Sequence, residues 1–299
     1  MNSEPHWDLY RTFHAVLREG SLSGAARALD MTQPSIARHV DALEQTLGVK
    51  LFLRTPRGLS PTDAALELKP LAERLAVTTA ALRRAAEGRS GEVSGTVRIS
   101  ASEVVAFAHL PPVLTRLRQS HPDLTLEVSP SNALDDLLQR RADVAVRMVR
   151  PEQQALVSRH IGAIEVGLHA RRDYLDRRGT PRTMADLSHH DLIGYDAETP
   201  AIRAVAQRYP ALSRNGFALR VDSDVTQLAA IRAGFGIGIC QVALAAAEPD
   251  LVRVLPEAFS LPLETWIVMH EDLRGNASCR VVFDALVEGL SDVVRRTAR

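Results

Sequence analysis

The sequence predicts a small all-α winged helix-turn-helix domain followed by a larger domain of two α/β lobes. Three observations predict it. Within residues 21–61, Ile36, Val40, Leu43 and Leu47 recur at helical spacing and are followed by a turn rich in Arg and Gly. Leu68, Leu75 and Leu82 then stand seven residues apart. From Thr96 onward, short β-type runs alternate with helical ones, as in α/β lobes.

The chain has 299 residues, 45% of them hydrophobic and 24% charged, which suits a globular protein of two or three domains. Aromatics make up only 4%, so the cores must rest on Leu, Val, Ile and Ala. No apolar run approaches the length of a membrane span, and the N-terminus lacks the apolar segment of a signal peptide. Cys240 and Cys279 suit a reducing cytoplasm and form no metal-ligand cluster. The formal net charge is zero, and residues 1–60 hold seven Lys/Arg against six Asp/Glu. This balance argues against indiscriminate coating of nucleic acid, and any DNA affinity must come from a few placed cations, helix N-termini and pairing of copies.

Leu9, Phe13, Val16 and Leu17 predict a first amphipathic helix that ends at Gly20. Ser21 or Ser23 caps the second, in which Ala25, Ala26 and Ala28 permit close packing and Leu29 is the last residue. After a turn at Asp30 and Met31, Thr32 caps the third helix, with Pro34 in its first turn. The stripe from Ile36 to Leu47 faces the core, and Pro34, Arg38, Asp41 and Gln45 occupy the opposite face, with Ser35 at its edge. Such a helix can present its N-terminal end to base edges. His39 lies nearer the buried side and reads as a packing residue. Gly48 stops the helix and Leu51 and Phe52 return to the core. Arg54, Thr55, Pro56, Arg57 and Gly58 then form a wing whose two cations suit a phosphate backbone.

Ser60, Pro61, Thr62 and Asp63 spell a helix start, with Ser60 as cap and Pro61 in the first position. The helix that follows carries a short heptad seam, Leu68, Leu75 and Leu82 with Leu71, Thr78 and Ala85 three residues after each. Pro70 predicts a bend. A pairing helix followed by a hinge fits the Gly-containing stretch that ends at Gly91.

Beyond it, strands are predicted at 97–100, 124–130 and 142–148, with helices at 104–119 and 134–140, an order that gives a parallel sheet. Further strands fall near 163–169, 192–195, 216–221, 237–240 and 251–254, with helices near 201–209, 224–234 and 242–247. A strand at 264–270 returns the chain to the first lobe, and a helix over 277–296 ends it. In such sheets a ligand sits beyond the strand ends, where helix N-termini point. The candidates are Ser100, Ala101, Ser102, Ser131, Asn132 and Arg147 from the first lobe, and Tyr195, Ser223, Cys240 and Gln241 from the second. Two hydroxyls at a helix N-terminus near an Arg suit a carboxylate or similar small anion. Ser102 and Asn132 are equally readable as caps, and Arg147 as the partner of a surface acid. Asp222 and Asp224 read as capping or surface groups. The glycines at 234, 236 and 238 follow a helix and precede a strand, the reverse of a dinucleotide loop, and read as a turn. No P-loop, GxSxG, HExxH or Ser/His/Asp set is present, so neither an enzyme nor a bound cofactor or metal is expected.

The series Ser21, Leu22, Ser23, Ala25, Ala26, Leu29, Thr32, Gln33, Pro34, Ser35, Leu43, Glu44, Leu47, Gly48, Leu51, Phe52, Arg54, Leu59 and Ser60 resembles the LysR-type transcriptional regulators. It departs at Ala37, often Ser in that family, and at Asp63, near a usual Gly. The resemblance implies a linker helix that pairs two subunits and a periplasmic-binding-protein-like effector domain. It also implies that Gln33, Pro34, Ser35 and Arg38 face the major groove while Thr32 touches phosphate. A Gln amide can pair bidentately with adenine, whereas Arg38 can read guanine or hold a phosphate.

The expected organisation is a DNA-binding domain over 1–61, a linker and hinge over 62–91 and an effector domain over 92–299. Its first lobe takes 92–162 and 268–299, its second 163–267. The expected DNA contacts are Ser23, Thr32, Gln33, Pro34, Ser35, Arg38, Arg54 and Arg57. The expected effector contacts are Ser100, Ala101, Ser102, Asn132, Arg147, Tyr195, Ser223 and Gln241, and the pairing residues Leu68, Leu71, Leu75 and Leu82. Expected partners are double-stranded DNA, a small effector and further copies of the chain as dimer or tetramer, with RNA polymerase allowed and no membrane. The competing readings are a DNA binder whose α/β domain only oligomerises, and an enzyme built on the lobes.

Overall fold

A computed structural model describes residues 6–55, 58–87, 92–130, 142–151 and 156–297. The chain divides into an N-terminal and a C-terminal compact unit.

The N-terminal unit opens with α1 (Trp7–Glu19), α2 (Leu22–Leu29) and α3 (Gln33–Leu47). Gly20 and Gly48 end α1 and α3 at φ of +65° and +71°, conformations a side chain would strain. Ser21 is the cap of α2, its Oγ accepting from the Gly24 N–H at 3.0 Å. Phe13, Val16, Ala25, Ala26, Ile36, Val40, Leu43, Leu51 and Phe52 share one core, with the Phe13 and Phe52 rings 5.8 Å apart. The expected stripe of α3 is thus buried except at its last member, Leu47, which the helix end leaves 37% exposed. Ala28 is exposed as well.

Strands β1 (Phe52–Thr55) and β2 (Gly58–Pro61) pair antiparallel as the wing, from Phe52 opposite Pro61 to Thr55 opposite Gly58. Helix α4 (Asp63–Glu87) follows. The expected helix start at Ser60 is corrected by this pairing. Ser60 and Pro61 are ladder residues, and Thr62 is the cap, accepting from the Ala65 N–H at 3.2 Å while donating to the Lys50 carbonyl at 2.7 Å. The helix carries Pro70 inside it.

The C-terminal unit begins with β3 (Gly95–Ala101). A π-helical segment, Val105–His109, runs into α5 (Leu110–Ser120), with the Leu110 N–H donating to the Val105 carbonyl. Pro111 and Pro112 lack the N–H groups an α-helix would need here, which accounts for the widened turn. Strands β4 (Leu124–Pro130) and β5 (Val144–Arg147) both pair parallel with β3, as the βαβαβ pattern requires. The helix expected at 134–140 lies outside the described residues. There follow β6 (Leu156–Arg171), α6 (Arg172–Arg178), β7 (Leu192–Gly194), α7 (Pro200–Arg208), β8 (Phe217–Arg220), α8 (Asp224–Arg232), β9 (Gly238–Gln241), α9 (Val242–Ala246), β10 (Leu251–Val254), β11 (Leu261–His270) and α10 (Ala277–Thr297). Helix α6 has no counterpart in the sequence reading, and β6 is more than twice its expected length.

Strands β6 and β11 are the spine. They pair antiparallel along their lengths, and the register slips between Thr265, opposite Gly162, and Trp266, opposite His160. Such a bulge bends the pair. On one side of it β11 pairs with β5, and Ile99, Leu110, Leu117, Val144, Ile267 and Leu286 form a core. On the other, β6 pairs with β9 and β10 above a core of Leu168, Tyr174, Leu187, Leu192 and Phe259. Gly162 has φ of +111°, and a Cβ there would meet Val294 Cγ1 at 2.6 Å. The glycines after α8 form the expected turn: a Cβ at Gly236 would lie 1.9 Å from the Asp191 carbonyl oxygen.

Candidate functional site

At the start of α3, Thr32 Oγ1 accepts from the Ser35 N–H at 3.3 Å and lies 2.9 Å from Ser35 Oγ. Arg38 Nη2 donates to Ser35 Oγ at 3.4 Å, and Ser23 Oγ donates to Gln33 Oε1 at 3.1 Å. Ser23, Thr32, Gln33, Pro34 and Arg38 are exposed and Ser35 is half-buried. The expected polar residues therefore form two hydrogen-bonded groups at a helix N-terminus, Ser23 with Gln33 and Thr32 with Ser35 and Arg38, where the backbone supplies partial positive charge. His39 faces inward, its Nδ1 2.9 Å from the buried Thr12 Oγ1. In the wing, Arg57 and the Arg54 side chain lie outside the described residues.

One residue of the family series has a structural role that the sequence did not assign. Glu44 is buried, and its Oε1 accepts the backbone N–H groups of Leu51 and Phe52 at 2.8 and 3.2 Å. Lys50 Nζ pairs with the other oxygen at 2.5 Å. Burial alone would raise the carboxyl's pKa; these partners outweigh it and hold it below the ordinary Glu value. Glu44 thereby fixes the strand that leads to the wing.

The heptad positions of α4 divide into two sets. Leu68, with Ala65 and Ala72, packs on the core of its own unit. Leu71 and Leu82 are 51% and 62% exposed and Leu75 is half-buried. At ~100° per residue Leu71, Leu75 and Leu82 lie along one stripe of the helix.

In the C-terminal unit a cavity of about 840 Å³ opens beside the spine. Ser102, Arg147, Tyr195 and Gln241 line it, as do Cys240 and both Asp222 and Asp224, which the sequence reading had left as caps or surface groups. Asp222 does have a capping role, accepting from the N–H groups of Asp196 and Ala197 at 3.0 and 2.8 Å. Asn132 lies outside the described residues. Ser100 is fully buried on β3, with its Oγ accepting from Arg147 Nη2 at 3.0 Å, and it, Ala101 and Ser223 are not among the lining residues. Arg147 also donates to the Val146 carbonyl at 2.9 Å.

Polar contacts tie the segment after β3 to α8 and β9. Glu103 Oε2 accepts from Ser223 Oγ at 2.8 Å, and His109 Nε2 lies 2.6 Å from Gln241 Oε1. Tyr195 donates its hydroxyl to Asp224 Oδ1. Burial first, then the charges of Asp224, Glu103 and Asp222, push the Tyr195 pKa up, so the phenol keeps its proton. Burial likewise pushes the Cys240 thiol up to about 12. Among the described residues no group of three His, Cys, Asp or Glu could hold a metal ion, and no helix is long and apolar enough to cross a membrane.

Residues 90–291 match the family described as the LysR substrate binding domain, and residues 7–66 the bacterial regulatory helix-turn-helix proteins of the lysR family. The HTH-type transcriptional regulator CrgA of Neisseria meningitidis serogroup C is 26% identical over 290 residues, covering 94% of this chain and 95% of CrgA. The fold is similar to that of full-length AphB, a virulence activator of Vibrio cholerae, with 23% identity, a TM-score of 0.61 and coverage of 95% and 99% of the two chains. It is also similar to full-length CbnR complexed with its target DNA, with 20% identity, a TM-score of 0.64 and coverage of 98% and 99%. This chain belongs to the LysR-type family of DNA-binding transcriptional regulators with an effector-binding domain.

Proposed function

We propose that the chain acts as a cytoplasmic homo-oligomer in which two copies of α3 read a paired DNA site and a small molecule in the cavity decides how they are held. The observation that carries this reading is that two hydrogen-bonded groups, Ser23 with Gln33 and Thr32 with Ser35 and Arg38, stand together at the N-terminal end of α3. Gln33 reads a base edge, Arg38 reads a base or holds phosphate, and Thr32 with Arg54 and Arg57 of the wing holds phosphate. Near-neutral charge makes one copy a weak binder. Pairing through Leu71, Leu75 and Leu82 supplies the second, which the exposed stripe on α4 supports.

The effector acts by differential binding. A ligand that prefers one arrangement of the lobes shifts the population toward it, and the shift appears as altered DNA affinity. Ser102, Arg147, Tyr195 and Gln241 are its wall. The chain performs no catalysis of its own on this reading, and RNA polymerase is a further partner. A thermal-shift screen of metabolites on the full chain tests it, since a ligand of the native state raises the melting temperature. Every stabilising compound should also change DNA affinity or the footprint. A compound that stabilises the chain and leaves DNA binding untouched favours the alternative, a regulator whose C-terminal domain only oligomerises.

A further inference from the structure

We propose that the cavity's ligand is an amphiphile, with a long apolar body lodged beneath α7 and an uncharged, hydrogen-bond-donating head at Tyr195, Asp222 and Asp224. This inference deepens the effector reading and rests on it. It replaces the small anion suggested by the sequence.

The first support is α7 itself. Its nine residues are all described, and none is fully buried. A helix on a globular domain ordinarily buries its apolar face. Here Ala201, Ile202 and Val205 line the cavity, and Leu212, Phe217 and Leu228 line it with them. Atoms that face a void lose their dispersion contacts, and water in an apolar chamber finds few partners. Val205 packs against the core of Leu187, Leu212 and Phe259, and an apolar ligand body adds contacts for Ala201 and Ile202.

The second support is the chemistry of the polar lining. Thr199 Oγ1 accepts from the Ile202 N–H at 3.3 Å, and Gln227 Nε2 donates to the Val221 carbonyl at 2.9 Å. Gln241 faces His109, and Arg147 donates to Ser100 and Val146. The charged lining residues are one guanidinium and two carboxylates, and the Glu103 carboxylate sits at the adjacent cap of α8. A carboxylate accepts several hydrogen bonds and donates none. An incoming anion meets like charge at this end, whereas a hydroxyl finds acceptors.

Calorimetric titration of the full chain with 1-alkanols from butanol to decanol, beside carboxylates of equal length, tests the inference. The dissociation constant of the alkanols should fall roughly fourfold per added methylene. At equal length the alkanol should bind about tenfold more tightly than the carboxylate, because the half-buried Asp224 and the neighbouring Asp222 repel a like charge. Val205→Glu should flatten the length dependence and Val205→Leu should preserve it, and Asp224→Asn should narrow the gap between alkanol and carboxylate. Should Val205→Glu fail to fold, the native series and Val205→Leu still decide. Affinity independent of length, or no binding anywhere in the series, overturns the inference. Carboxylates that bind more tightly than alkanols overturn it too, while leaving the effector reading intact. The effector reading falls separately, if compounds found in the metabolite screen stabilise the chain without changing DNA binding.

Discussion

The Glu103 carboxylate accepts the Ser223 hydroxyl at 2.8 Å, and so ties the helix that follows β3 to the N-terminal cap of α8. The same oxygen lies 3.5 Å from the Val225 N–H. A carboxylate at a helix N-terminus is favoured by the helix dipole as well as by the hydrogen bonds. Glu103→Ala should therefore destabilise the C-terminal unit by about 1–2 kcal/mol, and Glu103→Gln by less, because its amide oxygen still accepts. Urea unfolding of the two variants checks this, and equal losses would mean that the carbonyl oxygen is not what Ser223 needs.

Ser23 and Gln33 make a second pair with a consequence. Gln33→Ala should cost about 1–3 kcal/mol at the base pair it reads and little on unrelated DNA. Ser23→Ala leaves the amide in place but unheld, so the same base pair should lose part of that discrimination. Competition binding with single base-pair substitutions separates the two effects. A loss spread evenly over all sequences would make Gln33 a phosphate contact.

Glu44 gives the N-terminal unit an acid limb. Its folded pKa lies below that of the unfolded chain, about 4.3. The stabilisation is therefore fully present above the unfolded value and is lost as the pH falls through the folded one. Glu44→Gln should cost about 1–3 kcal/mol at neutral pH, since it weakens the acceptor of two buried N–H groups. It should also make stability below pH ~4.3 less steeply dependent on pH. Chemical unfolding across the acid range measures both.

Leu71 and Leu82 are the exposed members of the α4 stripe. Leu71→Glu with Leu82→Glu should leave the monomer's stability within about 0.5 kcal/mol, as surface changes usually do. The same pair should shift the chain toward monomer in sedimentation and weaken binding to a paired site far more than to a half-site. Unchanged sedimentation would place the pairing surface elsewhere.

Much of the fold was legible because it rests on local signals. Gly20 and Gly48 end their helices in the left-handed conformation, Thr32 caps α3, and the run at 124–130 is a strand with those bounds. The polar groups at the start of α3 were legible for the same reason, since Ser23 to Arg38 fall within sixteen residues. The helix start at Ser60 was misplaced because pairing with β1, a tertiary fact, claims Ser60 and Pro61. Glu44 stood in the family series without a role, because its partners, the backbone N–H groups seven and eight residues on and the Lys50 ammonium, follow no local pattern. The cavity was only half legible. Ser102, Arg147, Tyr195 and Gln241 followed from strand ends, but Thr199, Asp222, Asp224 and Gln227 did not. Leu212, Phe217 and Leu228 come from separate elements with no shared spacing, and Ser100 is buried against Arg147 without lining the cavity.

The most direct test of the account is selection of bound fragments from a random-sequence duplex pool by the full chain. The account predicts enriched fragments that share a dyad-symmetric element, with half-sites spaced by whole helical turns, and a changed element with Gln33→Ala. An unenriched pool, or an enriched element without dyad symmetry, would contradict the claim that a pair of α3 helices does the reading.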